Sequence, residues 1–377
     1  MNNELTTLEQ RDWTEFSDPP QLPANPVVSV LMLTYNHGPY LAEAIEGVVN
    51  QKTDFPVELL IGEDCSKDNT LQVARDYQKR YPQIIRVLHA CPNSGVAENF
   101  RRLIRACKGE FAAFCEGDDY WIDQRKLADQ IALIRDNAEI SIVHADHVVR
   151  HDFWGRRFIV QPRGRYADYS DKGYLAGDIS EKCFGGLVTH TSTVLCRSQH
   201  LKEYLAIDLA KSLGFAYDCC VVNYLALRGQ AAYLDRPVSA YRITPGSMMR
   251  SGARGNQKMA VEIRDFFMKF AAKHHKYVGR RDAIYKDYTL TILKSAFRLA
   301  DSECFCKAAQ ELQSMSLSTI EQFTLKWHMR LFNIGLMRSL FTYTALFVQS
   351  GRKIRHMAAI YAGMVERVTL AQPKLNR

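Results

Sequence analysis

Three short acidic stretches hold the residues best suited to chemistry in this 377-residue chain. Glu63-Asp64-Cys65-Ser66-Lys67-Asp68-Asn69-Thr70 and Glu116-Gly117-Asp118-Asp119-Tyr120-Trp121 each follow an apolar run, and Asp218 opens an apolar segment. Carboxylates gathered around one ligand repel each other unless a cation sits among them. Their hard oxygens suit Mg²⁺ or Mn²⁺, ions that usually also hold substrate phosphates. The chain has no glycine-rich phosphate loop, so its phosphates would be held chiefly through metal. A metal-bridged diphosphate is the expected ligand.

The elements that would position these groups are legible as alternating patterns. Val27–Leu33 is a continuous apolar run, Tyr40–Asn50 has helical spacing, Val57–Ile61 is a second strand and Asn69–Arg80 a second helix capped by Asp68. Ile84–Leu88, Val96–Ala106 and Phe111–Cys115 continue strand, helix, strand, followed by a helix over Lys126–Asp136. Such alternation predicts an α/β fold whose parallel sheet is covered by helices, with ligands beyond the carboxyl ends of the strands. Ser141–His144, Thr193–Cys196 and Ala231–Leu234 read as further strands and Asp218–Arg228 as a helix. Beyond Gly255 the chain reads as nearly all helix, with a capping box at Ser318-Thr319-Ile320-Glu321.

In this order the motifs resemble family 2 glycosyltransferases. They are Val28-Ser29-Val30-Leu31-Met32-Leu33-Thr34-Tyr35-Asn36, the Glu63–Thr70 turn, Asn93-Ser94-Gly95 with Asn99, and Ala106–Glu110 leading into Glu116–Trp121. His190–Arg197, Asp218 and Tyr241-Arg242 follow, so the resemblance covers about 215 residues. It implies a GT-A fold, with a mixed, mainly parallel Rossmann-like sheet, and inverting sugar transfer from a nucleoside diphosphate sugar. By that resemblance Thr34, Asn36 and Asn93 line the nucleotide pocket, and Asp64 accepts a hydrogen bond from the base. A carboxylate can read an N–H donor such as that of uracil, which favours a UDP-sugar. Asp118 is assigned to the metal, Glu116 to the ribose or metal shell, and Asp119 to their support. Asp218 is the candidate general base. Arg242 would contact the diphosphate or fix the acceptor loop. Glu98 stands where relatives often carry Arg.

Other residues have plainer readings. Asp68 is expected to cap a helix, His37 to belong to a turn, and Tyr120 and Trp121 to form core or pocket wall. His144, His147 and His151 fit no zinc pattern and read as strand-end or surface histidines. The ten cysteines include no C-x-x-C pair and lie mostly in apolar runs, which points to buried free thiols.

The apolar content of 47% excludes a disordered or collagen-like chain. The formal charge of +8 is unevenly spread: residues 1–247 carry net −5, residues 248–377 net +13. The boundaries expected are a tail at 1–26, a catalytic domain at 27–250 (nucleotide-sugar half 27–135, acceptor half 136–250) and a basic helical region at 256–377. That region includes Lys269, Lys273, Lys276, Arg280, Arg281, Arg330, Arg338, Arg352, Lys353 and Arg355. It reads either as a helical subdomain with a solvated face or as a docking surface for an anionic bilayer. No nucleic-acid module is visible. The polar, acidic N-terminus is no signal peptide, and the uncharged run Ser339–Gly351 is shorter than the ~18 residues a spanning helix needs. The expected place is the cytoplasm, with peripheral contact at the inner face of the cell membrane. The function expected is transfer to a glycan or lipid-linked acceptor in surface polysaccharide synthesis. The alternatives are a non-catalytic nucleotide-sugar or glycan-binding module and a membrane-surface scaffold.

Overall fold

The computed structural model describes residues 12–153, 156–159, 164, 166, 172–184, 189–207, 214, 217–244, 252–271, 281–299 and 301–333. The chain divides into two compact units, Met1–Pro245 and Gly246–Arg377.

The first unit is built on a ten-stranded sheet. Its elements run β1 (Thr14–Phe16), β2 (Val28–Thr34), α1 (Gly38–Val49), β3 (Val57–Glu63), α2 (Thr70–Arg80), β4 (Ile85–His89), α3 (Val96–Ala106) and β5 (Phe111–Phe114). Then come β6 (Tyr120–Trp121), α4 (Lys126–Ile134), β7 (Ile140–Phe153), β8 (Arg156–Ile159), α5 (Ser180–Phe184), β9 (Leu195–Arg197), α6 (Ser198–Leu205), α7 (Tyr217–Leu227) and β10 (Gln230–Ile243). The sheet order is β1-β4-β3-β2-β5-β9-β7-β10-β6, with β8 paired to β7. β4, β3, β2 and β5 are mutually parallel, as are β7 and β10. β9 joins the two blocks by antiparallel pairing to β5 and β7. The sheet is therefore mixed and mainly parallel.

β2 is buried along its whole length because every residue from Val28 to Leu33 except Ser29 is apolar and helices cover both faces. Val30 and Met32 pack with Leu41, Ile45, Ile61, Phe111 and Trp121 in the main core. From β2 the chain moves outward to β3 and β4, then returns to β5 on the other side of β2. The crevice at such a reversal, at the carboxyl ends of the strands, is where a ligand fits.

Three expectations are corrected. Within the segment read as a tail, Thr14–Phe16 forms β1, antiparallel to β4. The short strands read at Ser141–His144 and Ala231–Leu234 are parts of fourteen-residue β7 and β10. Buried polar residues, Ser141 and Arg150 in β7 and Ser239 and Arg242 in β10 among them, break the apolar pattern; His144, His147 and His151 lie inside rather than at the surface. Finally, Cys65 and Cys91 form a disulfide, because the loops after β3 and β4 lie side by side with the two Cα atoms 5.0 Å apart. Cys107, Cys115, Cys183, Cys196, Cys219, Cys304 and Cys306 are free thiols.

The second unit contains α8 (Gly252–Ala271), α9 (Arg281–Leu299), α10 (Ser302–Gln313) and α11 (Thr319–Asn333). Its core joins Ala260, Leu293, Ala296, Phe305, Leu312 and Leu325. The capping box is present: Ser318 N donates to Glu321 Oε2 (2.7 Å) and Glu321 N to Ser318 Oγ (3.4 Å). Among the described residues no helix is long and apolar enough to cross a membrane. Lys273, Lys276, Arg280, Arg338, Arg352, Lys353, Arg355 and the run Ser339–Gly351 lie outside the described residues.

Candidate active site

Two groups of residues gather at the carboxyl ends of the central strands. The first surrounds Asp64, which follows β3 and is buried. Its Oδ1 accepts from Ser94 N (3.0 Å) and Ser94 Oγ (2.6 Å), and its Oδ2 from Gly95 N (2.8 Å). A carboxylate has about four acceptor sites, so one remains, on Oδ2. Asn93 Nδ2 donates to the Asp64 carbonyl (2.7 Å), and Asp64 N to the Thr34 carbonyl (3.2 Å). Gly95 takes φ +86, a conformation open to glycine, and this turns its N–H toward the carboxylate. The Cys65–Cys91 bridge spans the same two loops.

Arg102 backs this group from α3 and has no exposed surface. It donates to Ser94 Oγ (2.7 Å) and Asn99 Oδ1 (3.0 Å), and it lies 3.7 Å from Asp64 Oδ1. Asn99 in turn donates to the Gly62 carbonyl (2.8 Å). Glu98 faces elsewhere, pairing with Arg101 and Arg105. Asn36, at φ 56, clamps the next loop: its Oδ1 accepts from Lys67 N (2.8 Å) and its N donates to Ser66 Oγ (2.9 Å). Thr34 is buried and spends its hydroxyl on the Gly62 carbonyl (3.1 Å). Asp68 accepts from Thr70 N and Gly38 N (both 3.0 Å), tying the starts of α1 and α2 together, while Asn69 rather than Asp68 stands at the N-cap of α2.

The second group lies past β5. Gly117 packs so tightly that an added Cβ would stand 2.6 Å from Thr34 Cγ2 and 2.8 Å from His37 Nδ1. This close approach sets Glu116 and Asp118 on either side. Asp118 is partly exposed and 4.0 Å from His37 Nε2. Burial lowers the His37 pKa, while Asp118 and Asp68 pull it upward. His37 is thus more than a turn residue. Glu116 Oε2 is buried with no hydrogen-bond partner. Burial pushes the Glu116 carboxyl up to about 7; a hydrogen bond from Thr191 opposes this, while the charges of Asp118 and Asp218 add to it. Asp119 is buried and raised well above the carboxylate range by burial and by Asp118 and Glu116. It accepts from Arg242 N (2.9 Å) and lies 3.6 Å from His190 Nε2.

Asp218, in the first turn of α7, accepts from Cys219 N (2.7 Å), and burial raises its pKa. Its charge adds to the upward shift of Glu116. Arg242 is buried with its guanidinium over the rings of Tyr40 (4.8 Å) and Tyr120 (5.1 Å). It donates to Glu43 Oε2 (2.6 Å), and Arg150 donates to both Glu43 oxygens (2.9 and 3.0 Å).

The chemistry of this donor set fits a divalent cation: it combines a partnerless buried oxygen of Glu116 with a partly exposed Asp118, whose charge helps raise the Glu116 and Asp119 carboxyls. Among the described residues no three His, Cys, Asp or Glu side chains converge into a cage. That matches an ion held by one or two carboxylates with substrate phosphates completing its coordination.

Residues 29–194 match the family model described as glycosyl transferase family 2. The chain carries a family 2 glycosyltransferase domain. Its mixed, mainly parallel α/β sheet has the architecture that the motif order leads one to expect. An uncharacterized protein of Mycobacterium bovis is 38% identical over 126 residues, 33% of this chain and 36% of that relative. The chain thus spans about a third of the mycobacterial relatives' length. An uncharacterized glycosyltransferase of Nostoc sp. is 27% identical over 62% of this chain and 70% of its own length. The dTDP-rhamnosyl transferase RfbG of Shigella flexneri is 29% identical over 34% of this chain and 45% of its own. Among solved structures, Staphylococcus aureus TarS with UDP-GlcNAc is similar at 19% identity and TM-score 0.47, covering 73% of this chain and 83% of that one.

Arg102, Glu43, Arg150 and His190 carry no site role in the motif reading of this glycosyltransferase domain. Arg102 had one local signal, a basic residue one helical turn after Asn99, on the face that also carries Phe100 and Leu103. Glu43 and Arg150 had none, since they meet across 107 residues of sequence.

Proposed function

We propose that this glycosyltransferase moves a sugar, with inversion, from a nucleoside diphosphate sugar to a hydroxyl of a glycan or lipid-linked acceptor. The observation that carries this reading is the partnerless buried oxygen of Glu116, a carboxyl that feels the charges of Asp118 and Asp218. Asp118 and Glu116 would hold Mn²⁺ or Mg²⁺, supported by Asp119. When bound, the cation neutralises charge developing on the departing diphosphate.

The remaining roles fall to the chain's own residues. Asp64 offers its last Oδ2 acceptor site to a base N–H, which favours UDP. Thr34, Asn36 and Asn93 shape the nucleotide pocket around it. Asp218 takes the proton of the attacking hydroxyl on the face opposite the diphosphate. Burial raises its pKa toward the operating pH, where a general base is most effective. Arg242 fixes Asp119 through its N–H and brings positive charge to the diphosphate side. Surface polysaccharide synthesis is the setting proposed, in the cytoplasm or at the inner face of the cell membrane.

A thermal-shift panel of UDP-, GDP- and dTDP-sugars with and without Mn²⁺ tests the donor. One nucleotide should raise Tm, and only with metal. Asp118→Ala should abolish that metal-dependent shift. Asp218→Asn should keep it and lose turnover; undiminished transfer by Asp218→Asn would remove the assigned base.

A further inference from the structure

The second unit carries an apolar face that its own core does not use. On α11, Ile320, Phe323 and Trp327 are 79%, 67% and 52% exposed. Their spacing of three and then four residues sets them on one stripe of the helix. The opposite side sends Leu325 into the unit's core, with Met329 packed against it. The rings of Phe323 and Trp327 stack with centroids 6.3 Å apart, so the stripe is a formed surface. Lys326 and Arg330 are exposed on one flank. The acid of this helix's first turn, Glu321, is engaged by Lys286 Nζ (3.2 Å) and Ser318 N (2.7 Å). The stripe therefore presents a tryptophan, a phenylalanine and an isoleucine beside cations.

We propose that this face of α11 is a peripheral docking surface for an anionic lipid bilayer. Charge complementarity points to that occupant: Lys326 and Arg330 lie within residues 248–377, which carry net +13. Amphipathic helices that lie in the headgroup region combine Trp, Phe and aliphatic residues with Lys and Arg in this way. A second copy of the chain fits less well. Three side chains of this kind offer on the order of 300 Å², against roughly 800 Å² per partner in a stable dimer. The proposal is independent of the sugar-transfer reading, because α11 lies outside the catalytic unit.

Flotation of the full chain with phosphatidylcholine vesicles, with and without phosphatidylglycerol, tests it. Wild type should float with the anionic vesicles and be released by salt. Lys326→Glu/Arg330→Glu should reduce binding roughly tenfold or more. Phe323→Ser/Trp327→Ser should reduce it as strongly while leaving the circular dichroism spectrum unchanged. Brominated acyl chains should quench tryptophan fluorescence in wild type and not in Trp327→Phe. Equal flotation of the Phe323→Ser/Trp327→Ser protein would overturn the proposal. So would a dimer, seen by light scattering, that this double variant dissociates while wild type ignores both vesicles.

Discussion

Replacing Arg102 by Met tests whether the Asp64 pocket is held from behind. The guanidinium is fully buried, donates two hydrogen bonds and lies 3.7 Å from Asp64. Removing one partner of a buried ion pair costs about 3–5 kcal/mol. Asp64 keeps three donors from Ser94 and Gly95, so the lower end applies, and Met refills part of the volume. For a unit of this size each kcal/mol moves Tm by roughly 2–4 °C, so a loss of about 3 kcal/mol predicts a fall of roughly 6–12 °C. If the stable part of the pocket is what selects the nucleotide, UDP affinity should drop further than stability alone requires. Calorimetric titration of UDP well below the variant's Tm separates the two effects. Arg102→Lys, which keeps the charge but not the fork, should recover stability more than affinity. A Met variant that melts within about 2 °C of wild type and binds UDP unchanged would refute the reasoning.

Two further predictions concern the carboxylate group. Glu116, at about 7 in the fold, takes up a proton on folding at mildly acidic pH. Its pKa is raised, so the stability it contributes is present below its unfolded value and is lost as pH rises through 7. Without metal, Tm should fall between pH 5 and pH 8, and Glu116→Gln should flatten that decline. Gly117→Ala would press a methyl group against Thr34 Cγ2 and His37 Nδ1 and within 3.2 Å of the Leu33 carbonyl. It should cost about 1–3 kcal/mol by overpacking and reduce turnover, as read by melting and initial rates.

How far the sequence could be read depended on how local each feature was. β2 through β5 fall within about two residues of where periodicity sets them, because each is dominated by apolar residues, with Gly or Asp at or before the start of the next element. One polar residue (Ser29, Glu58, Arg86) lies inside each of β2, β3 and β4. β7 and β10 were cut short because the fold buries Ser141, His144, His147 and Arg150 along one and Ser239 and Arg242 along the other. Polar residues inside a strand look like its end. The carboxylates were legible as candidates because acids crowd the ends of apolar strands. Arg102, Glu43 and Arg150 were not, since each acquires its meaning from a partner far away in the chain. The Cys65–Cys91 pairing has the same origin: only the side-by-side course of two loops makes it possible.

The small strand β1 also bears on how the protein behaves in concentrated solution. It covers β4, which would otherwise be the outermost strand of the parallel block and would offer five residues of unpaired backbone to another molecule. With β1 in place, the free edge shortens to three residues. Short edges resist intermolecular strand pairing. Glu15 anchors the cover by accepting from Arg86 Nε (2.9 Å) and Nη2 (3.2 Å), while Arg86 also donates to buried Glu58 (2.9 Å). A protease cut that released residues 12–20 would bare an adhesive edge and leave Arg86 with Glu58 as its one carboxylate among these partners. The expected outcome is self-association with the Asp64 and Glu116 groups still assembled, a loss of solubility rather than of fold.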